Sequence, residues 1–454
     1  MQITASRIYF IRLLLYIECR NFCLCLIFER TKEVKNMRKG KILTALIGII
    51  TVFRLAGCSA KPAESPKAVT DENFKMVNYW QYNYRSYDEN GYYDVLQRDD
   101  YKGCNITFAD FSSATETYLC NRAECKHNDD TCTSFFGNDY NSIRLFPSYE
   151  DDKILCLANY YPESGAPFLR LLSFDRNGEN RQVVIDFGID TDTTDGVAIS
   201  EDMILLTMVH RDGDKDEEVK RSLVLANYKT GEWKSVFDYD AYYTFVSVFN
   251  NRAYLIRYED NYKCIVSAVD LKDGNIADVY EFTVYGASEW KSPLPPIYVE
   301  NYLYRLSDDG KDLLKVNLDT GESSALIPDV NNYFDAENGS CYDVIDNHFR
   351  IQTSKLISDN EFEEHCYSVD AATGRVYPRT MEVMYKDGKL PIIYPIAEFG
   401  DNLYVVCGVE KRPHIDYDID NIPYESEWYV TVHGIISKAD YYANIPNIKI
   451  VEMI

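Results

Sequence analysis

The sequence predicts an all-β protein, a β-propeller built from four-stranded antiparallel blades. Three observations support this: a short turn motif recurs along the chain, short apolar runs lie upstream of its copies, and 38 of the 454 residues are Tyr, a residue that suits half-buried strands. A single unit of this kind cannot bury both of its faces. Units arranged radially bury one another, which is the architecture of a propeller.

The turn motif is an apolar residue followed by Asp or Asn and, in most copies, by a Gly. Its seven copies are Ala109-Asp110, Phe174-Asp175, Ala226-Asn227, Val269-Asp270, Val316-Asn317, Val369-Asp370 and Ala439-Asp440. The Gly residues are Gly178, Gly231, Gly274, Gly321 and Gly374. Because Asp and Asn cap their own backbone and Gly supplies positive φ, the motif is typical of a tight turn between the third and fourth strands. Seven copies favour seven blades, with six or eight as alternatives.

Two copies of the motif carry a resemblance to a known architecture. Val369-Asp370-Ala-Ala-Thr-Gly374 and Ala226-Asn227-Tyr-Lys-Thr-Gly231 resemble the turn of quinoprotein-like propeller repeats. The chain as a whole resembles quinoprotein and TolB-like propellers, and especially the uncharacterised propeller lipoproteins of Gram-positive bacteria. The Trp that closes each quinoprotein repeat is mostly missing, so the resemblance implies the architecture and no quinone cofactor.

The region before the repeats contains a second resemblance. Residues 37–41 are basic, residues 42–53 form an apolar run too short to span a bilayer, and Leu55-Ala56-Gly57-Cys58 follows. This order resembles the signal peptide and lipobox of bacterial lipoproteins. It implies that Cys58 receives a lipid and that the mature chain lies on the extracytoplasmic face of the cell membrane. A chance Cys after an ordinary apolar segment is the alternative.

The signal divides the chain into four predicted regions. They are an upstream extension at 1–36 that precedes the natural start at Met37, the signal peptide at 37–57, a flexible tether at 58–72 and the propeller at 73–454. Residues 74–80 are expected to complete the blade that contains residues 449–453, or to pack beside it. Strands from both ends of the domain would then close the ring and remove an exposed edge.

The charge of the chain excludes one class of partner. With 47 basic and 72 acidic residues, the formal net charge is −25. Nucleic acid is therefore not expected as a ligand, since phosphate binding needs positive charge. Cations, basic peptides and neutral glycans remain compatible with this composition.

Two insertions lengthen the spacing of the turn motif. They occupy residues 121–141, predicted to join blades 1 and 2, and residues 409–427, predicted to lie inside blade 7. Blade geometry places both on the same end of the ring, which predicts a ligand-binding face there. The aromatic candidates for contacting a glycan or peptide are Tyr160, Tyr161, Trp290, Tyr417 and Trp428. Loops that lengthen without a binding role are the alternative.

The first insertion contains a cluster of sulfur and imidazole ligands, Cys120-x4-Cys125-Lys-His127-x4-Cys132, and Cys104 lies on the preceding strand. In an oxidising exterior we favour two disulfides, Cys104–Cys120 and Cys125–Cys132. Zinc bound by Cys120, Cys125, His127 and Cys132 is the alternative, because these residue types at this short spacing suit that ion.

The second insertion has carboxylates at the spacing of a calcium loop. Asp416, Asp418, Asp420 and Glu427 occupy positions 1, 3, 5 and 12 of such a loop. Asn421 replaces the usual Gly, and Pro423 would disturb the pairing that these loops make. An acidic, solvated loop without a cation is the alternative.

Catalytic motifs are not evident in the sequence. It has no Gly-x-Ser-x-Gly, no paired-His metal motif and no phosphate-binding Gly loop. We therefore predict a membrane-anchored, extracytoplasmic propeller that binds or scaffolds a glycan, a peptide or an envelope protein. A glycan-acting enzyme, either a glycosidase or a lyase, is the alternative.

Overall fold

The computed structural model of the chain describes residues 73–78, 86–98, 103–148, 152–193, 196–211, 219–239, 243–259, 262–286, 294–358, 361–385, 388–390, 392–417 and 423–454. All of them belong to one compact unit, Lys67–Ile454. Seven antiparallel blades follow one another along this unit, which confirms the predicted all-β propeller and its blade number. Among the described residues, no helix has the length and apolar content needed to cross a membrane.

The strands are numbered along the chain. They are β1 (Lys75–Asn78); in blade 1, β2 (Gly91–Gln97), β3 (Gly103–Asp110), β4 (Thr115–Tyr118) and β5 (Phe135–Gly137); in blade 2, β6 (Tyr140–Pro147), β7 (Lys153–Tyr160), β8 (Phe168–Asp175) and β9 (Gln182–Ile189); then β10 (Thr191–Asp192); in blade 3, β11 (Val197–Ile199), β12 (Met203–Arg211), β13 (Val219–Asn227) and β14 (Trp233–Tyr239). The first strand of blade 1 is a short segment in which Tyr87 bridges Tyr92.

The remaining blades follow the same order. They are, in blade 4, β15 (Thr244–Phe249), β16 (Arg252–Glu259), β17 (Lys263–Asp270) and β18 (Ile276–Thr283); in blade 5, β19 (Ile297–Val299), β20 (Tyr302–Leu306), β21 (Leu313–Asn317) and β22 (Ser323–Ile327); in blade 6, β23 (Gly339–Ile345), β24 (His348–Ser358), β25 (Glu361–Asp370) and β26 (Val376–Arg379); then the hairpin β27 (Val383–Tyr385) and β28 (Gly388–Leu390); in blade 7, β29 (Tyr394–Phe399), β30 (Asn402–Tyr417), β31 (Pro423–Ser437) and β32 (Lys449–Ile450); and β33 (Glu452–Met453). A short 3-10 helix, Val330–Asn332, follows β22, and helix α1 (Lys438–Tyr442) follows β31.

Blade 4 shows how the sequence motif makes a turn. Asp270 accepts a hydrogen bond from the backbone N–H of Lys272 at 2.8 Å on its side chain and one from Gly274 at 2.8 Å on its carbonyl. Gly274 has φ of +74°, and a Cβ there would lie 2.2 Å from the Val236 carbonyl oxygen of blade 3. The Gly therefore permits both the turn and the close approach of the neighbouring blade.

The seventh copy of the motif has a different conformation. Ala439 and Asp440 lie in helix α1, and the side chain of Ser437 caps this helix by accepting a hydrogen bond from the Asp440 N–H at 3.0 Å. The copy still connects the third and fourth strands of its blade, as predicted. It does so with one helical turn, because Ser at the N-cap stabilises a helix start.

Apolar packing between blades closes the ring. Phe111 of blade 1 stacks on Phe399 of blade 7 with ring centroids 3.9 Å apart, and Val451 joins the same buried cluster. The C-terminal strands bridge the two blades: β32 pairs with β31, and β33 pairs in parallel with β4. Residues 449–453 thus help to close the ring, as expected from the sequence.

The N-terminal strand does not take the predicted place. It pairs antiparallel with β11, the first strand of blade 3, so the expectation that residues 74–80 join the blade containing residues 449–453 is wrong. Phe74, Met76 and Val77 are buried there against residues of blades 2 to 4. Strand β1 has only four residues and carries no turn motif. The burial of these apolar side chains beside β11 therefore determines its position.

The two ends of the ring differ in their connections. Turns between first and second strands and between third and fourth strands lie at one end, here called the turn face. Loops between second and third strands and the connections between blades lie at the other end, here called the loop face. This division follows from antiparallel order alone, since each strand reverses the direction of the one before it.

Candidate metal centre in the outer strand of blade 1

The fourth strand of blade 1 is interrupted. Both β4 and β5 pair with β3, and the intervening residues 119–134, here called the cysteine loop, leave the sheet and return to it. The carbonyl of Ile106 accepts a hydrogen bond from the Leu119 N–H, and the Ile106 N–H donates to the Ser134 carbonyl, each at 2.9 Å. The prediction that this insertion joins blades 1 and 2 is therefore wrong: most of it lies within one strand, because β5 continues the β3 ladder.

Four potential ligands converge in the cysteine loop. One ligand atom from each of Cys120, Cys125, His127 and Cys132 lies within 4.8 Å of all the others. His127 Nδ1 is 3.2 Å from Cys132 Sγ. Cys132 is buried, and the other three residues are partly buried. The set combines three sulfur atoms and one nitrogen on a loop of 16 residues.

The backbone around His127 is held by the rest of blade 1. Its carbonyl accepts hydrogen bonds from Arg98 Nη1 at 2.8 Å and from Asn105 Nδ2 at 3.0 Å. Its ring stacks on Tyr118 with centroids 4.3 Å apart. His127 and Glu124 both have positive φ, +52° and +62°, a conformation that costs free energy in residues other than Gly. The contacts of the loop thus offset the free-energy cost of this backbone conformation.

The protonation properties of the cluster reflect its surroundings. Burial raises the pKa of Cys120, but hydrogen bonds from the backbone of Arg122 and from Thr133 outweigh it and lower this pKa to about 7. Burial raises the pKa of Cys132, opposed by hydrogen bonds from Ser134. Burial also lowers the pKa of His127, which favours a neutral imidazole at pH 7. Neutral imidazole is the form that binds metals.

Blade 2 packs directly against the cysteine loop. Arg181 donates hydrogen bonds to the carbonyl oxygens of Thr133 at 2.5 Å and Phe135 at 2.9 Å, and its guanidinium lies 3.7 Å from the centroid of the Phe136 ring. Gly178, in the turn of blade 2, has φ of +82°, and a Cβ there would lie 2.4 Å from the Leu119 carbonyl oxygen. The loop is therefore part of the contact between two blades.

The predicted disulfides are not formed. Each cysteine in the described part of the chain is a free thiol. Cys104 pairs with Phe136 of β5 and is buried in the core shared by blades 1 and 2, where burial raises its pKa to about 12. Cys125 and Cys132 instead share the cluster with Cys120 and His127. The interruption of the outer strand explains the error for Cys104, because it places β5, and not Cys120, opposite this residue.

The second insertion is a β-hairpin. The second strands of blades 2 and 4 have 8 residues each, whereas β30 has 16, so residues 410–417 and 423–430 extend from the loop face as a two-stranded arm. At ~3.3 Å per residue this hairpin arm extends about 26 Å beyond its blade. The insertion lies between the second and third strands of blade 7, where the sequence placed it.

The geometry of the hairpin arm does not form the predicted calcium loop. Asp416 pairs with Tyr424 and Glu427 with Pro413, so three residue steps of about 3.3 Å along the ladder separate the two acidic residues. The Glu427 carboxylate instead accepts a hydrogen bond from Lys411 Nζ at 2.8 Å. Asp418 and Asp420 lie outside the described residues. Positions 8 to 12 of the proposed loop are strand, and this differs from the loop conformation that the calcium spacing predicts.

The predicted aromatic candidates occupy different environments. Tyr160 is partly buried, and Arg170 lies 4.0 Å from the centroid of its ring. Tyr161 is partly buried beside the Asp139 carbonyl, to which its N–H donates. Tyr417 and Trp428 lie on the strands of the hairpin arm, with only their backbone described, and Trp290 lies outside the described residues.

Five exposed tyrosines on the described part of the loop face were not predicted. They are Tyr258, Tyr262, Tyr333, Tyr424 and Tyr429, with relative exposures of 57%, 49%, 50%, 50% and 62%. Each of them lies in or next to a segment at the loop-face end of its blade. Exposed Trp233, in contrast, is the first residue of the outer strand β14, at the turn face. With 38 Tyr in the chain, no sequence pattern separates these five from buried tyrosines such as Tyr254.

No family model and no curated protein matches the chain. Among solved structures, an oligogalacturonate lyase in complex with manganese is 14% identical over 78% of this chain and 83% of its own, with a TM-score of 0.40. An oligogalacturonate lyase from Vibrio parahaemolyticus is 10% identical over 80% and 97%, with a TM-score of 0.44. TolB from Acinetobacter baumannii is 11% identical over 63% and 64%, with a TM-score of 0.32. These similarities carry no argument about activity.

Proposed function

We propose that this chain is a lipid-anchored, extracytoplasmic propeller that binds a glycan or a peptide at its loop face, with the turn face directed toward the membrane. The observation that carries the proposal is the direction of β1. Lys75 pairs with Ile199 and Asn78 with Val197, and Ile199 leads into the first turn of blade 3 at the turn face. The chain that precedes Lys75 therefore reaches the domain at the turn face.

The direction of β1 matters because the chain that precedes it leads back to the proposed lipid anchor at Cys58. About sixteen residues lie between Cys58 and Lys75, a length of about 50 Å if fully extended and an average span of about 20 Å if flexible. Tethering at the turn face directs the hairpin arm and the other loops of the loop face away from the bilayer. A binding face that points outward is accessible to large envelope components.

The loop face has the surface chemistry of a binding site. Its exposed tyrosines present flat rings, and on the hairpin arm Tyr429 lies beside Lys411, whose Nζ is 5.4 Å from the ring centroid. Tyr rings with adjacent charged groups suit stacking on sugars and contact with peptides, and Tyr loses little conformational entropy on binding. The acidity of the whole chain favours neutral glycans and basic peptides over anionic ligands.

The orientation is testable with the anchored protein in vesicles that contain quencher-labelled lipid headgroups. A fluorophore is attached either at Thr373, exposed in a turn of blade 6, or at Glu425, exposed on the hairpin arm. We expect stronger quenching at Thr373, and no quenching at either position for Cys58→Ser protein, which lacks the anchor. Stronger quenching at Glu425 would overturn the proposed orientation, and vesicle binding by Cys58→Ser would contradict lipidation as the anchor.

The binding face is testable by screening the soluble domain against glycan and peptide arrays. We expect Tyr429→Ala and Tyr262→Ala to weaken binding of any hit, with Trp233→Ala as the control aromatic at the turn face. Loss of affinity in the Trp233 variant alone would place the site at the opposite end. Turnover of a glycan hit would favour the enzymatic alternative over a binding protein.

A further inference from the structure

We propose that Cys120, Cys125, His127 and Cys132 bind one zinc ion, which connects the two halves of the interrupted outer strand of blade 1. The donor set is that of a structural zinc site: three thiolates and one imidazole supply all four tetrahedral positions. No position remains for water or substrate, so the site stabilises the fold and has no catalytic role. The proposal stands independently of the ligand-binding function proposed above.

The distances fit a single small ion. Zinc lies about 2.3 Å from sulfur and about 2.0 Å from nitrogen, so tetrahedral ligand atoms are about 3.5–3.8 Å apart. The four ligand atoms here all lie within 4.8 Å of one another, and His127 Nδ1 lies 3.2 Å from Cys132 Sγ. Small side-chain adjustments therefore bring all four to bonding distance without moving the backbone.

The surroundings of the ligands match those of a metal–thiolate site. Ser134 Oγ lies 3.1 Å from Cys132 Sγ, and Thr133 Oγ1 donates a hydrogen bond to the Leu119 carbonyl at 3.0 Å, next to Cys120. Hydrogen bonds from a second layer of residues orient metal ligands and disperse the negative charge of thiolates. The stacking of His127 on Tyr118 fixes the plane of the imidazole. These contacts hold the ligands in place around a common centre.

A disulfide accounts for the cluster less well than zinc does. The cluster contains three cysteines, so any one disulfide within it leaves an unpaired thiol, and buried Cys104 lies on β3 opposite Phe136. A disulfide also gives His127 no role, although blade 1 holds its backbone in a left-handed conformation. Zinc uses all four residues. Calcium and magnesium prefer oxygen ligands, so a set of thiolates and an imidazole excludes them here.

The first test is the metal content of the full domain, purified without chelator or added metal and measured by elemental mass spectrometry. We expect about one zinc per chain, as for a closed four-ligand site. His127→Ala and Cys132→Ala should lose most of it, and His127→Cys should retain it, because four thiolates also bind zinc. Cys264→Ala, which removes a thiol buried in blade 4, is the matched control and should keep the full content.

The second test distinguishes zinc from a disulfide. Denatured protein is alkylated without reductant, with and without a chelator, and its cysteine peptides are analysed by mass spectrometry. We expect Cys120, Cys125 and Cys132 all to be alkylated after chelation. Zinc-free protein with a Cys125–Cys132 cross-linked peptide would overturn the proposal. Zinc retained equally by His127→Ala and Cys132→Ala would also overturn it, since the ion would then lie elsewhere.

Discussion

The cysteine loop and the hairpin arm are both insertions into regular blades, yet different interactions order them. The hairpin arm continues the backbone ladder of β30 and β31, so its hydrogen bonds are those of any antiparallel pair. The cysteine loop leaves its sheet, and side chains hold it: Arg98 and Asn105 donate hydrogen bonds to the His127 carbonyl, and Arg181 of blade 2 donates to the Thr133 carbonyl. An insertion outside a ladder must satisfy its backbone groups by other means.

The difference has consequences for stability. The hairpin arm extends from one blade, and its regular hydrogen bonds are made within the β30–β31 pair. The cysteine loop contacts both its own blade and the turn of blade 2, through Thr133 and Gly178. We therefore expect changes in the cysteine loop to affect the whole ring and changes in the hairpin arm to remain local.

Removal of the metal site should give the largest effect. We expect Cys132→Ala to lower the free energy of unfolding of the domain by about 3 kcal/mol or more, because it removes buried packing and a ligand of the proposed zinc ion between β4 and β5. Urea unfolding measures this loss. Hydrogen exchange should become faster in the β3–β5 ladder, while the amides of the hairpin arm, which open locally, are unchanged. Equal acceleration in both regions would contradict the separation of the two insertions.

Effects of intermediate size on stability are expected from two glycine variants, one beside the cysteine loop and one away from it. Gly178 and Gly321 both have positive φ, +82° and +73°, but only the first has a neighbour in the cysteine loop, since a Cβ at Gly321 meets nothing within 4 Å. We expect Gly321→Ala to cost about 1 kcal/mol from the backbone conformation alone, and Gly178→Ala about 2–3 kcal/mol. Thermal or urea unfolding of the two variants measures the difference. Equal losses in the free energy of unfolding would show that the cysteine loop accommodates a Cβ at Gly178.

The smallest effect on folding is expected from a substitution in the hairpin arm. Tyr429 is 62% exposed, so Tyr429→Ala should change the free energy of unfolding by less than about 0.5 kcal/mol. Its effect should appear in ligand binding instead. A destabilisation above 1 kcal/mol by urea unfolding would mean that the arm packs against other parts of the domain and is not an independent extension.

Part of the candidate site could be predicted from the sequence. The spacing of Cys120, Cys125, His127 and Cys132 in one short segment identified the four residues, because ligands close in sequence can meet without help from the fold. The same spacing did not exclude disulfides, since pairing with Cys104 depends on which strand lies opposite it. That partner is β5, and the return of the chain to β3 after the cysteine loop has no sequence signature.

The position of the N-terminal strand shows the same limit. Phe74, Met76 and Val77 are recognisable as apolar, but many edges in the ring could accept a strand of four residues. The structure selects the edge of β11, the first strand of blade 3. The direction of β1, on which the proposed membrane orientation depends, follows from that choice.

The sequence by itself determined the all-β blades and favoured seven of them, because Asp or Asn with Gly specifies a turn through local backbone conformation, and alternating turns and short apolar runs specify antiparallel strands. Tertiary structure decided the rest: which edge receives β1, which strand faces Cys104, and which tyrosines remain exposed at the loop face. These outcomes depend on contacts between residues far apart in the chain. Such contacts are set by the burial of whole faces, and no short stretch of sequence encodes them.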